Sequence, residues 1–98
     1  MRVVIAEDEM LERKAMRKFL EEQFQDIEIV GEAVNGRIAI ELAEELKPDL
    51  MLMDIKMPGI DGLEAMEIIC QSQPAIKFIV VSAYDSFHYA KQAMKLGV

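Results

Sequence analysis

The chain has little that would indicate a disulfide-bonded or membrane-spanning protein. Among its 98 residues there is a single cysteine, Cys70, which cannot form an internal disulfide and therefore fits a reducing compartment. The apolar stretch at residues 3–6 is too short for a signal peptide, and no other stretch is long enough to span a membrane. We therefore expect a soluble, cytoplasmic protein that makes no membrane contact.

Basic residues are also few. Eleven Lys and Arg stand against 18 Asp and Glu, for a formal net charge of −7. Binding to a nucleic-acid backbone requires clustered Lys and Arg residues, so we expect no direct nucleic-acid contact by this domain, although a DNA-binding module could be attached elsewhere. No Gly-x-Gly-x-x-Gly follows the first predicted strand, which disfavours a dinucleotide site. The apolar content of 52% is ample for one small globular domain.

Strands and helices are predicted to alternate along the chain. Periodicity and turn residues place strands near residues 2–6, 27–33, 50–53 and 78–81, with a helix after each and the last helix near 86–96. On the first helix we expect two inward rows, Leu11, Ala15 and Phe19, and beside them Met16 and Leu20. Four successive βα units imply an α/β fold with a parallel sheet and right-handed crossovers.

Acidic residues follow two of these strands. Asp54 ends an apolar run and precedes a Pro/Gly-rich turn, whereas Glu7 and Asp8 follow the first strand. Ligands of parallel α/β sheets gather at the carboxyl ends of the strands, and Mg²⁺ prefers oxygen ligands. The pattern predicts a Mg²⁺ site whose crowded carboxylates have raised pKa values, with Asp54 as a nucleophile toward phosphorus. Ser82, at the end of the fourth strand, could donate its hydroxyl to a phosphoryl oxygen.

The sequence closely resembles, over its whole length, the receiver domain of two-component response regulators. The matching stretches are residues 3–9, 49–62, 80–84 and 90–98, and residues 54–62 carry the specific run Asp-x-x-Met-Pro-x-x-Asp-Gly. The resemblance implies a flavodoxin-like receiver fold with strand order 2-1-3-4 and the fifth βα unit missing. It also implies that Mg²⁺ is held by Glu7, Asp8, Asp54 and the backbone carbonyl of Lys56.

The same resemblance implies a signalling role. Asp54 would receive a phosphoryl group from a sensor histidine kinase, Ser82 would be the hydroxyl of the switch, and an effector domain, expected to be a DNA-binding transcription regulator, would respond. Residues 82–98 look like those of receivers fused to AraC-type DNA-binding domains. We expect residues 1–98 to form a single receiver domain that is truncated before the fifth strand.

The expected truncation has two consequences. The family's invariant lysine lies on the fifth strand, and Lys91 and Lys95, on the predicted fourth helix, cannot replace it, so phosphorylation of this form is left open. The bare edge of strand 78–81 is expected to cause self-association.

Two other classes of function stay open beside the phosphoacceptor switch. A Mg²⁺-dependent phosphatase or phosphotransferase with an aspartyl nucleophile usually needs a second acid two residues after that nucleophile, where this chain has Lys56. A pseudo-receiver would bind only other proteins. We expect a self-phosphorylating switch and not an enzyme with external turnover. Glu9 is read as a charge in the first helical turn, and Asp61 and Gly62 as a cap and a turn.

Overall fold

Strands and helices alternate over residues 1–81, which are the residues that the computed structural model describes. No helix in that range has the length and apolar character needed to cross a membrane. The predicted fourth helix and Ser82 lie outside the described residues. In chain order the elements are β1 (Arg2–Ala6), α1 (Met10–Gln23), β2 (Glu28–Ala33), α2 (Gly36–Leu46), β3 (Leu50–Asp54), α3 (Gly62–Ser72) and β4 (Lys77–Val81).

The four strands form one parallel sheet in the order β2-β1-β3-β4, which confirms the predicted order. The register pairs Ala6 of β1 with Met53 of β3, and Asp54 of β3 with Val81 of β4. Beyond the end of β1, the backbone N–H of Glu7 still donates to the carbonyl oxygen of Ala33 at 2.9 Å. The carboxyl ends of the strands therefore meet along one edge of the sheet.

Both faces of the sheet are covered by helices. Helices α2 and α3 pack on one face, and α1 packs on the other. This arrangement explains why every residue of β3 is buried, since its side chains alternate between two apolar layers. The layer under α2 and α3 contains, among others, Val4, Ala6, Ala39, Ala43, Met51, Met53, Met66 and Ile69, whereas the layer under α1 contains Val3, Ile5, Leu20, Leu50 and Leu52.

The predicted inward face of α1 is only half right. Met16 and Leu20 face the sheet, and Leu20 is buried. The other row is on the surface, with Leu11 76% and Phe19 56% exposed and Ala15 also exposed. Met16 and Leu20 are the row that packs with Ile29 of β2 and the sheet, and two arginines of α1 form ion pairs with Glu32 of the same strand.

A glycine at the start of α3 allows the loop after β3 to lie against the helix. A Cβ at Gly62 would stand 2.2 Å from the backbone oxygen of Asp54. The Gly62 N–H donates to the carbonyl of Ile55 at 2.8 Å. Asp61 caps the helix by accepting the N–H of Glu64 at 2.9 Å, which confirms the cap predicted for this residue. Hydrogen bonds at Ile55 and at Asp61 thus connect both ends of the loop of residues 55–61 to the start of α3.

We expect Gly62→Ala to destabilise the domain by about 3 kcal/mol or more, because the added methyl group meets a backbone oxygen that cannot move without displacing β3. The matched control is Gly59→Ala. Gly59 has open space around its Cβ position but a φ of +75°, so alanine there should cost only about 1–2 kcal/mol of backbone strain. Urea unfolding of both variants measures the difference, and an equal loss would contradict the close-approach explanation.

Candidate functional site

Three carboxylates converge at the edge where β1 and β3 end. They belong to Glu7, Asp8 and Asp54, and one oxygen of each lies within 4.8 Å of the others. The sheet register explains the convergence: Ala6 pairs with Met53, so the next residues along the two parallel strands stand side by side. The structure therefore brings together the three predicted acidic ligands.

The three acids differ in their access to solvent. Glu7 is 1% exposed and Asp54 is 7% exposed, whereas Asp8 is exposed. An open depression of about 510 Å³ lies beside them. Of the three acids, Asp8 is the one that lines this depression. The depression is lined by Asp8, Ile55, Lys56, Met57, Pro58, Gly59 and Asp61.

Burial makes Glu7 hard to ionise. It raises the pKa of Glu7 from 4.5 to about 9, and hydrogen bonds with the side chains of Glu12 and Asp8 act in the same direction. The negative charge of Asp54 adds to this effect. The backbone N–H of Glu9, which donates to Glu7 Oε2 at 3.2 Å, opposes it. Without a cation, Glu7 is therefore a neutral acid near pH 7.

Asp54 also has a raised pKa, and burial is again the largest cause. The charges of Asp8 and Glu12 contribute to the increase. A hydrogen bond from Glu7 and one from the backbone N–H of Ile55 favour the ionised form and partly offset it. A protonated Glu7 can thus donate a hydrogen bond to Asp54. Raised pKa values were predicted from repulsion between crowded carboxylates, and both buried acids have them, but burial is the larger cause.

The sequence-based reasoning missed Glu12, which lies in the first turn of α1 and reaches the acids through Glu7. Its position four residues after Asp8 was the available signal, because the first turn of a helix that follows a strand end faces the same edge. Glu9, which was expected in the first turn of α1, is the N-cap residue of that helix, and the group of three carboxylates does not include it. The predicted roles of Ser82 and of the Lys56 carbonyl stay predictions.

Comparison with known proteins identifies the family. The model of the response regulator receiver domain matches residues 3–98, so this chain belongs to that family.

The relatives in sequence include transcriptional regulators. The transcriptional regulatory protein YhcZ of Bacillus subtilis is 41% identical over 97 residues, which are 99% of this chain and 45% of YhcZ. The response regulator GacA of Pseudomonas aeruginosa is 38% identical over 96 residues, 98% of this chain and 44% of GacA. The chain thus spans less than half the length of these curated relatives.

Solved structures agree with the predicted receiver fold. A DNA-binding response regulator of the LuxR family from Staphylococcus aureus has a TM-score of 0.88 at 34% identity, covering 99% of this chain and 80% of that one. The response regulator domain of Thermotoga maritima CheB has a TM-score of 0.87 at 31% identity, covering 100% and 73%. The flavodoxin-like receiver fold is confirmed, while the likeness to AraC-type regulators stays a prediction.

We expect the cation-free domain to lose stability as the pH rises from about 5 to about 9. Folded Glu7 keeps its proton up to a pKa of about 9, whereas in the unfolded chain it ionises near 4.5. The folded state therefore binds more protons in this window, and the free energy of unfolding falls by at most about 1.4 kcal/mol per pH unit. Urea unfolding in EDTA at several pH values measures the slope.

The control for this prediction is Glu7→Gln, which keeps a hydrogen-bonding side chain of similar size but cannot ionise. Its stability should vary less over the same pH window. A slope that is the same in both proteins would show that another group is responsible.

Proposed function

We propose that the domain is a phosphoacceptor switch in which Asp54 receives the phosphoryl group. The observation that supports this most is the position of Asp54 at the end of β3, with two other carboxylates within 4.8 Å, in a chain of the receiver family. The neighbouring residues Asp8 and Ile55 line the open depression, which gives a phosphoryl donor a place to approach the site.

The transfer needs a nucleophile and a leaving group. A carboxylate oxygen of Asp54 donates an electron pair to phosphorus, and the bond from phosphorus to the donor atom breaks, with its electron pair leaving on that atom. The product is an aspartyl phosphate. The hydrogen bond from the Ile55 N–H orients the Asp54 carboxylate, and the close approach of Gly62 fixes the backbone beneath it.

The site fits a hard divalent cation. Its donors are carboxylate oxygens that lie close enough for mutual repulsion, and in the cation-free state a proton on Glu7 relieves that repulsion. Mg²⁺, when bound, would neutralise charge on the transferring phosphoryl group. Glu7, Asp8, Asp54 and the backbone carbonyl of Lys56 would hold it. The exposed Asp8 would be the more direct ligand of the acidic pair, and Glu7 would give up its proton.

The proposed partners follow from the family. The phosphoryl donor would be a sensor histidine kinase, and Ser82 would donate its hydroxyl to the transferred group. An effector domain, DNA-binding as in the Staphylococcus aureus relative, would read the switch. The net charge of −7 supports a domain that does not itself touch nucleic acid, and the single cysteine supports a cytoplasmic location.

The enzyme alternative is less well supported by the same site. Receiver domains of transcriptional regulators are signalling switches, and residue 56, where an aspartyl-nucleophile phosphotransferase usually has its second acid, is a lysine here. Lys56 lines the depression but cannot act as that acid.

Incubation of the 98-residue chain with acetyl phosphate and MgCl₂ tests the proposal. We expect one acyl phosphate per chain by intact-mass measurement, because Asp54 ends β3 beside the Glu7 and Asp8 carboxylates and is the proposed phosphoacceptor. Asp54→Asn should take up none. Continuous release of inorganic phosphate would instead indicate an enzyme, and no uptake by the unaltered chain would indicate a module that only binds other proteins.

Two further variants separate a defined cation site from a diffuse acidic patch. Asp8→Asn should weaken Mg²⁺ binding by about tenfold or more and reduce phosphate uptake. Glu9→Gln removes an equal charge one residue away but outside the carboxylate group, so it should have little effect. Equal losses in the two variants would argue for a diffuse patch.

We also propose that the 98-residue chain self-associates through β4. This strand is the outermost one on its side of the sheet within residues 1–81, and Ile79 is 47% exposed on it. The one charged residue of β4 is Lys77, at its start. Unprotected apolar edge strands pair readily with other chains.

Light scattering over a dilution series should show association of the unaltered chain at high concentration. Ile79→Lys places a charge on the edge and should shift the chain toward the monomer. The matched control is Ile68→Lys, since Ile68 has a similar exposure of 42% but lies on α3. A monomer at every concentration, or an equal effect of both variants, would contradict association through the edge.

A further inference from the structure

Arg13 of α1 holds the backbone of the acidic pair from behind the site. Its Nη1 donates to the carbonyl oxygen of Glu7 at 2.9 Å, and its Nε donates to Glu32 Oε1 on β2, also at 2.9 Å. The side chain is only 15% exposed. One guanidinium group therefore connects α1, the end of β1 and the neighbouring strand β2.

The bond to the Glu7 carbonyl bears directly on Asp8. A peptide unit is planar, so the direction of the Glu7 carbonyl also sets the direction of the Asp8 N–H and the path of the chain into Asp8. The other side of Glu7 is held by the bond from its N–H to Ala33. Asp8 itself is exposed on the turn between β1 and α1, so its carboxylate is placed by the backbone that leads into it and by its hydrogen bond with the Glu7 side chain.

The guanidinium group of Arg13 forms its ion pair with Glu32, which is not one of the three carboxylates of the site. Glu32 accepts from Arg13 with Oε1 and from Arg17 Nη1 with Oε2, the latter at 2.5 Å. Arg17 also pairs with Glu21, at 3.6 Å. Arg17 shares the helix and the Glu32 partner with Arg13, but its second partner is Glu21 where that of Arg13 is the Glu7 carbonyl. It is therefore a natural control for the carbonyl bond.

We infer that Arg13 is a positioning residue for the cation and phosphoryl site: it orients the Glu7–Asp8 peptide so that the Asp8 carboxylate faces Asp54. The inference rests on the proposed function and deepens it. Arg13 does not touch the cation or the reacting atoms. Residues that orient metal ligands in this indirect way commonly change metal affinity by about 10–100-fold when they are replaced.

Calorimetric titration of the 98-residue chain with MgCl₂ tests the inference. We expect Arg13→Gln to weaken Mg²⁺ binding by about tenfold. Arg17→Gln should change it by less than about twofold, because it leaves the Glu7 carbonyl bond intact. The ¹⁵N shift of the Asp8 amide in the cation-free chain should move in Arg13→Gln and stay in place in Arg17→Gln. A purely stabilising role of Arg13 would not produce that difference.

Arg13→Lys separates charge from geometry. Lysine keeps the positive charge near Glu32 but lacks the rigid fork that reaches two acceptors at once, so we expect folding stability to recover and most of the loss in affinity to remain. If Arg13→Gln does not fold, Arg13→Lys compared with Arg17→Lys gives the same contrast.

The outcomes distinguish the two proposals. If the unaltered chain binds Mg²⁺ and the Arg13 and Arg17 variants bind it equally well, or if Arg13→Lys restores full affinity, the inference about Arg13 is wrong and the proposed function stands. If the unaltered chain does not bind Mg²⁺ at all, the proposed function fails and the inference fails with it.

Discussion

The parallel pairing of β1 with β3 is the constraint on which the site depends. It sets Ala6 opposite Met53, and the acids that follow these residues then have to share one edge of the sheet. The burial that stabilises the two central strands also removes Glu7 and Asp54 from water, which raises the pKa values of both. A crowded acidic site is therefore a cost of this sheet, and a proton or a cation is needed to reduce it.

The open side of the site is shaped by backbone contacts at two glycines. A Cβ at Gly62 would lie 2.2 Å from the Asp54 carbonyl oxygen, and one at Gly36 would lie 2.1 Å from the Ile60 carbonyl oxygen. The first residues of α3 and α2 are thus in close backbone contact with the two ends of the loop after β3. Such contacts leave the loop little room to shift, which suits a depression that must present the same backbone atoms to each incoming ligand.

Sequence reasoning succeeded where a single pattern decided the outcome. Apolar runs ending in acids located β1, β3 and the carboxylate cluster, because buried strands and their carboxyl ends follow from period and composition. It failed on α1, which carries two adjacent apolar rows and gives no internal reason to choose between them. The packing of Met16 and Leu20 and the ion pairs of Arg13 and Arg17 with Glu32 both depend on a strand that comes later in the chain.

Magnitudes show how α1 is attached. Burying Leu20 contributes about 1.5–3 kcal/mol, whereas a partly exposed ion pair contributes about 1 kcal/mol or less. Apolar contact therefore holds the helix on the sheet, and the weaker but directional bonds of Arg13 connect it to β2. The same guanidinium ties the Glu7 carbonyl to β2, and Glu12 on the same helix is hydrogen-bonded with the Glu7 side chain. One side chain therefore joins α1 and β2 to the backbone that leads into Asp8, so the attachment of the helix and the placement of a site carboxylate share the same contacts.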